Sequence, residues 1–123
     1  MKALLFEPVS LRALTLPNRI VVEPMTQFSA DDGTPGDWHL MHLGQYAVSG
    51  AGLVFTESTY VAPEARNTPM CLSLYTDEQE QALGRIKRLF DAYGRASLGV
   101  HVCHVGRRAS TREPWLGGGP RLL

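Results

Sequence analysis

The chain has 123 residues, of which 44% are hydrophobic, and its 12 Lys and Arg residues balance its 12 Asp and Glu residues. This length suits one domain and is too short for two, and a neutral chain without a basic stripe lacks the charge pattern of a nucleic-acid-binding protein. No apolar run reaches membrane-spanning length, and the first one is interrupted by Glu7 and Pro8, so we predict neither a membrane segment nor a signal peptide. The two cysteines are widely separated and are interpreted as reduced thiols. Together with the absence of a predicted signal peptide, they predict a cytoplasmic protein.

The first elements are an extended region, a strand and a helix. Residues 4–16 are expected to form short extended segments that could pair as a hairpin. The first uninterrupted apolar run covers residues 19–23 and stops at a proline; such a run without alternation is typical of a strand covered on both faces, as in a parallel sheet. After a turn-rich loop, Asp37 is predicted to cap a helix over residues 38–49, which Gly50 closes.

A second strand and a second helix follow. Residues 53–56 are apolar and β-prone, and polar residues 57–59 are expected to lie just beyond the end of this strand. Thr76 and Gln79 fit a capping box, apolar residues then recur at helical spacing, and Gly94 stands where a C-terminal glycine belongs. We therefore predict a helix between Thr76 and Gly94.

A third apolar run, residues 98–102, precedes a stretch with turn chemistry. Long polar loops follow the predicted strands and short links precede them. In α/β proteins the loops at the carboxyl ends of parallel strands build the functional site. Three strands are too few to close an eight-stranded barrel, and the sequence stops in a loop at residues 121–123, so we expect a part of a larger barrel.

Four ordered motifs, at residues 18–25, 37–42, 52–57 and 104–109, resemble the opening third of the Old Yellow Enzyme family of flavin-dependent ene-reductases, most closely its bacterial YqjM-like branch. The resemblance implies an α/β fold, a (β/α)8 TIM barrel, of which residues 1–123 form the amino-terminal part with about the first three βα units. It implies FMN at the carboxyl ends of the strands, NADPH or NADH as the reductant, and hydride transfer to an activated alkene such as an enone. It leaves a homo-oligomer open for a full-length parent.

The resemblance also assigns site residues. The positions that match the family's flavin contacts are Glu23, Pro24, Met25, Thr26, Ser58 and His101. Thr26 would offer its hydroxyl near the flavin O4, where the YqjM-like branch generally has a cysteine. His101 replaces a glutamine, and a neutral imidazole supplies one donor and one acceptor to the pyrimidine edge. Phe28 replaces a tyrosine at the substrate pocket, where it would give shape and stacking.

The same residues also have ordinary structural interpretations. Without the resemblance, Thr26 would cap a turn, Ser58 would be a loop residue and Phe28 a core aromatic. The family's substrate-binding pair, its tyrosine proton donor and its phosphate-binding loops lie on later strands. No catalytic residue is therefore expected within this chain, and the chain alone is expected to be inactive.

Two other functions are open from the residues themselves. One is a metal-dependent TIM-barrel hydrolase, and the other is a non-catalytic small α/β module. The hydrolase would use His39, His42, His101 and His104, with Glu57 as a carboxylate ligand. The spacing puts His39 and His42 on one helix face, whereas the other pair could meet only if its strand ended between them.

We instead expect no metal site. His42 and His104 are predicted to be packed, hydrogen-bonded histidines, and His39 to be partly exposed. Arg107 and Arg108 are expected to pair with Glu57 or a backbone carbonyl. The Gly run at residues 117–119 is no phosphate loop, because neither a Lys-Ser/Thr pair nor a helix follows it.

Overall fold

The structure, a computed structural model, describes residues 3–109 and 111–119. The predicted ending in a loop at residues 121–123 lies outside these residues. Strands β1 (Val9–Leu11) and β2 (Leu14–Leu16) form an antiparallel hairpin, which confirms the predicted hairpin, whereas Leu4–Phe6 form a 3-10 turn and not the predicted extended segment.

The main sheet has three parallel strands: β3 (Val21–Val22), β4 (Leu53–Tyr60) and β5 (Ser97–Cys103). Strand β4 lies between the other two, and both pairings are parallel. The uninterrupted apolar runs therefore predicted the sheet type correctly, because both faces of such a sheet are normally covered.

Helix α1 (Asp37–Ala47) connects β3 to β4. The prediction that Asp37 caps this helix was wrong: Gly36 is the N-cap and Asp37 is already the first helical residue. The Asp37 carboxylate instead accepts a hydrogen bond from Arg85 of the next helix, at 2.8 Å. The helix ends two residues earlier than predicted, with Val48 at the C-cap.

Helix α2 (Asp77–Tyr93) connects β4 to β5, and its sequence signals were correct. The Thr76 hydroxyl accepts the Gln79 N–H at 3.2 Å, and the Gln79 side chain accepts the Thr76 N–H at 3.3 Å. Gly94 is the C-cap residue. This reciprocal pair satisfies two backbone N–H groups that would otherwise be unpaired at the helix start.

Both helices pack on one face of the sheet. The buried residues of this core are Leu43, Ala47, Ala51, Val54, Leu72, Leu83, Ile86, Phe90 and Ala96. Each fully buried large side chain contributes about 1.5–3 kcal/mol relative to exposure, so this cluster fixes the helices against the strands.

Strand β4 is longer than predicted, because it continues through Glu57, Ser58 and Thr59 to Tyr60. The polar residues expected beyond the strand are thus part of it, and the β4–β5 register shifts between Phe55 and Ser58. Beyond β5, the described residues form two 3-10 turns, Gly106–Arg108 and Pro114–Leu116. None of the helices described is both long and apolar enough to cross a bilayer.

Candidate functional site

The carboxyl ends of the three parallel strands lie at one edge of the sheet. The loop of residues 23–28, called here the β3 loop, leaves the end of β3. Ser58 and His101 are register partners near the ends of β4 and β5. The sequence-predicted flavin positions are thus found on adjacent strands and on the loop that leaves the first of them.

At the register shift in β4, a side-chain hydroxyl accepts a hydrogen bond from the neighbouring strand. The His101 N–H donates to the Thr56 hydroxyl at 3.1 Å, so this hydroxyl replaces a backbone carbonyl in the ladder. The Thr56 hydroxyl also lies 3.0 Å from that of Thr59, which in turn donates to the Glu57 carbonyl. These hydrogen bonds hold His101 opposite Ser58. Bulges of this kind are common next to functional sites.

A buried pair links α1 to β4. The Nε2 of His39 lies 3.1 Å from Oε1 of Glu57, and the two residues are 1% and 4% exposed. The Nδ1 of His39 accepts the Gly36 N–H at 3.2 Å. Because Nδ1 is an acceptor here, the imidazole is neutral and carries its proton on Nε2, which donates to the carboxylate.

Two expectations about these residues were therefore wrong. His39 was predicted to be partly exposed, but a partner 18 positions later in the chain buries it. Glu57 was a predicted partner of the Arg107 and Arg108 pair, but its oxygens bind His39 and the Gln27 main chain instead. Both arginines are exposed.

Gln27 connects the β3 loop to its surroundings. Its N–H donates to Oε2 of Glu57 at 3.1 Å, and its side-chain amide donates to the Met25 carbonyl at 2.8 Å. The Trp38 indole N–H donates to the Gln27 side-chain oxygen, and the Ser29 hydroxyl donates to the Gln27 main-chain carbonyl. The loop is thereby fixed to both β4 and α1.

Phe28 has a strained backbone, with φ of +50°. The left-handed region is unfavourable for a bulky residue and costs of order 1–3 kcal/mol, so surrounding contacts must hold it there. The ring packs edge-to-face on Trp115 at 5.7 Å and against the buried cluster of Tyr60, Ala65 and Cys71. Phe28 is half-buried, so it reaches from the β3 loop to the end of β4.

The pKa of Tyr60 is raised to about 12, mainly by burial and also by the neighbouring thiols of Cys71 and Cys103, while a hydrogen bond from Ser58 acts in the opposite direction. Burial also raises the pKa of the Cys71 thiol. Cys103 is half-buried, with its Sγ 3.6 Å from the His101 Nε2. The Tyr60 phenol and the Cys71 thiol are therefore uncharged near neutral pH.

The other two histidines differ from each other. His42 is half-buried beside Tyr46, and burial lowers its pKa. His104 was predicted to be packed, but it is exposed, and its Nδ1 accepts the Gly106 N–H at 3.0 Å. Over residues 3–109 and 111–119, no three His, Cys, Asp or Glu side chains are grouped as a metal site requires.

A parallel sheet with helices packed on one face, and with polar side chains at the carboxyl ends of its strands, defines an α/β fold of the kind that places its functional site at those strand ends. Comparison with known proteins gives the family. The model of the NADH:flavin oxidoreductase / NADH oxidase family matches residues 4–115, and the chain belongs to this family, whose cofactor is FMN.

Individual relatives agree with this assignment. The chain is 40% identical over 111 residues to an NADH:flavin oxidoreductase of Gibberella zeae, covering 90% of the chain and 27% of that protein. It is 35% identical over 111 residues to an NADPH dehydrogenase of Geobacillus sp., covering 89% of the chain and 32% of that protein. The chain thus spans about a third or less of the curated relatives it matches.

Solved structures confirm the fold class. Morphinone reductase matches with a TM-score of 0.79 and 33% identity, over 86% of this chain and 28% of that one. The Old Yellow Enzyme from Pichia sp. AKU4542 matches with a TM-score of 0.80 and 30% identity, over 87% and 28%. These neighbours are TIM barrels, and the three strands and two helices match part of one. The family result disfavours the hydrolase and the non-catalytic module.

The polar groups at the strand ends fit the pyrimidine edge of a flavin. That edge presents O2, N3–H and O4, which need both donors and acceptors. Thr26 is exposed, and its hydroxyl has no hydrogen bond to the part of the chain that the structure describes. The half-buried Ser58 and His101 add a hydroxyl and an imidazole. Glu23 and Met25 are exposed and Pro24 is half-buried.

Sequence reasoning missed Gln27 and underestimated Glu57 and Thr56. A lone Gln in a loop carries no signal by itself. Glu57 had one available signal: a carboxylate within a run of otherwise buried residues must find a partner, because an unpaired buried charge is very costly. The hydrogen-bonded partners lie 18 and 30 positions away in the chain, so spacing alone could not identify them.

Proposed function

We propose that the protein containing this chain is an FMN-dependent NAD(P)H oxidoreductase of the Old Yellow Enzyme type, which transfers hydride from the reduced flavin to an activated alkene such as an enone. Residues 1–123 would form the amino-terminal part of its single barrel domain. The observation that carries the proposal is the register pairing of Ser58 with His101, beside the β3 loop, in a chain of a flavin-dependent family.

Within the proposed site, Thr26, Ser58 and His101 bind the pyrimidine edge of the flavin, and residues 23–25 lie against the ring. Bound FMN supplies hydride transfer between the nicotinamide and the alkene. Hydrogen bonds to the ring's oxygens orient it and stabilise negative charge there, which favours the reduced state. Phe28 gives an apolar wall to the substrate pocket and thereby excludes water.

The chain contributes no proton donor to this proposal, so residues 1–123 alone are expected to be inactive. The electron source is NADH or NADPH, and the cellular location is the cytoplasm. Cys71 and Cys103, which are both free thiols, suit a reducing compartment. A homo-oligomeric assembly of the whole protein is also part of the proposal.

The test uses the full gene product that contains residues 1–123. Purified protein should be yellow, release FMN on denaturation, and oxidise NADH or NADPH faster when a cyclic enone is added. Chelators should leave the rate unchanged, whereas a metal hydrolase would lose activity. Colourless protein that does not take up added FMN would contradict the proposal, and so would the absence of enone-dependent oxidation of both nicotinamides.

A further inference from the structure

The buried carboxylate of Glu57 lies in an unusual position for a charged group. Its side chain is 2% exposed, and its two oxygens bind a neutral imidazole and a main-chain amide. A carboxylate is expensive to bury, and a neutral partner offsets less of that cost than an arginine would. The arrangement therefore requires a reason beyond packing.

The two bonds of Glu57 point to two different elements. Oε1 accepts from His39 on α1, and Oε2 accepts from the Gln27 N–H in the β3 loop. His39 is itself held by the Gly36 N–H, which fixes its tautomer. The chain of bonds from Gly36 to Gln27 thus connects the start of α1 to the loop through one carboxylate on β4.

The acceptor character of both oxygens matters. In Glu57→Gln, an amide oxygen could still accept from Gln27, but the amide NH2 would then face the His39 Nε2–H. Reversing the His39 tautomer would place its Nδ1–H against the Gly36 N–H instead. One donor would be left without an acceptor in either arrangement, so no neutral amide can replace the carboxylate here.

We infer that Glu57, held by His39, is a positioning residue for the flavin: it fixes the Gln27 amide and so sets how the β3 loop meets the ring. The inference rests on the proposed function. Residues 23–26 are the predicted contacts in that loop, and Met25 is also tied to Gln27 through its carbonyl. Loss of the carboxylate lets the loop move while the sheet and helices remain.

The experiment compares Glu57→Gln with wild type in the full gene product, using FMN as the probe. FMN should dissociate about tenfold more readily, as expected from loss of one hydrogen bond to a charged group. The near-ultraviolet circular dichroism of the bound flavin should change, and the Gln27 amide should exchange with deuterium at least about tenfold faster. The inference is overturned if Glu57→Gln keeps the wild-type FMN affinity, the wild-type flavin spectrum and the wild-type exchange rate of the Gln27 amide.

A matched control separates positioning from stability. Gln79→Ala removes another buried polar side chain, 3% exposed, which caps α2 and whose hydrogen bonds go to Asp32, Tyr75 and Thr76, outside the β3 loop. This variant should lower thermal stability but leave the spectrum of the bound flavin unchanged. If it changes the flavin spectrum as much as Glu57→Gln does, general destabilisation explains the effect and the inference fails.

If the Glu57→Gln protein does not fold, a second pair of variants tests the inference. His39→Gln keeps an N–H donor near Glu57, and His39→Leu does not. The inference is supported if His39→Leu binds FMN more weakly than wild type and His39→Gln restores the binding. It is overturned if the two variants bind FMN equally. If the wild-type protein binds no FMN, the proposed function fails. Faster Gln27 exchange in Glu57→Gln would still show that Glu57 fixes the loop, and unchanged exchange would show that it does not.

Discussion

Ser58 and His101 lie directly opposite each other on neighbouring parallel strands, at the point where the β4–β5 ladder resumes after a register shift. The shift is stabilised by the Thr56 hydroxyl, which accepts the His101 N–H. Two side chains from different strands are thus presented at the same edge of the sheet. This relationship links the fold to the proposed flavin site.

His101 should tolerate glutamine better than leucine. Glutamine, like a neutral imidazole, has both a donor and an acceptor, whereas leucine has neither. We expect His101→Leu to weaken FMN binding about tenfold and His101→Gln to change it by less than about threefold. Fluorescence titration of the apoprotein with FMN measures both. Equal affinities for the two variants would show that the ring makes no hydrogen bond to the flavin.

Gly52 should not accept a side chain. A Cβ at this position would lie 2.5 Å from the Asn18 carbonyl oxygen, which is a backbone atom and cannot rotate away. Gly52→Ala should therefore destabilise the protein by about 1–3 kcal/mol in urea unfolding.

Gly84 provides the opposite case for the same change. It lies inside α2, and the nearest atom to an added Cβ is the flexible Arg88 guanidinium at 3.6 Å. Gly84→Ala should stabilise the protein by up to about 1 kcal/mol, because alanine is the better helix former. If Gly52→Ala is as stable as wild type or more stable, the close approach at Gly52 is not present in solution.

The α2 cap can be tested through Thr76. Thr76→Ala removes the acceptor of the Gln79 N–H and should cost about 1 kcal/mol of unfolding free energy. Thr76→Ser keeps a hydroxyl and should lose much less. Urea unfolding followed by circular dichroism gives both values. A serine variant as unstable as the alanine variant would argue against the capping bond.

Tyr60 should make stability depend on pH in the alkaline range. Its pKa is about 12 in the folded protein, raised mainly by burial from the ordinary value of 10.0. Between these values the unfolded chain has released the proton and the folded chain has kept it, so stability falls as pH rises. Unfolding by urea at about pH 9 and about pH 11 measures the fall.

Tyr60→Phe is the control for this dependence. The variant lacks the phenol, so its stability should fall less between the two pH values. A smaller slope should remain, because burial also raises the pKa of Cys71. An unchanged slope in the variant would mean that Tyr60 titrates normally and is not buried as the structure shows.

The parallel sheet and α2 could be predicted because their signals are local. Uninterrupted apolar runs identified the strands, and a capping box together with a glycine bounded the helix between Thr76 and Gly94. The full length of β4 could not be predicted, because Glu57 and Thr59 are polar residues that only tertiary partners make compatible with a buried strand. The same limit explains the wrong prediction for His39. Local patterns do not specify partners that are distant in the chain.

The central claim is that the β3 loop, Ser58 and His101 meet one flavin ring. The most direct measurement is a crystal structure of the full gene product with FMN bound. We predict that the pyrimidine edge of the ring lies within about 3 Å of the Thr26 hydroxyl, the Ser58 hydroxyl and the His101 imidazole. A ring bound elsewhere, with these three side chains out of contact, would contradict the account.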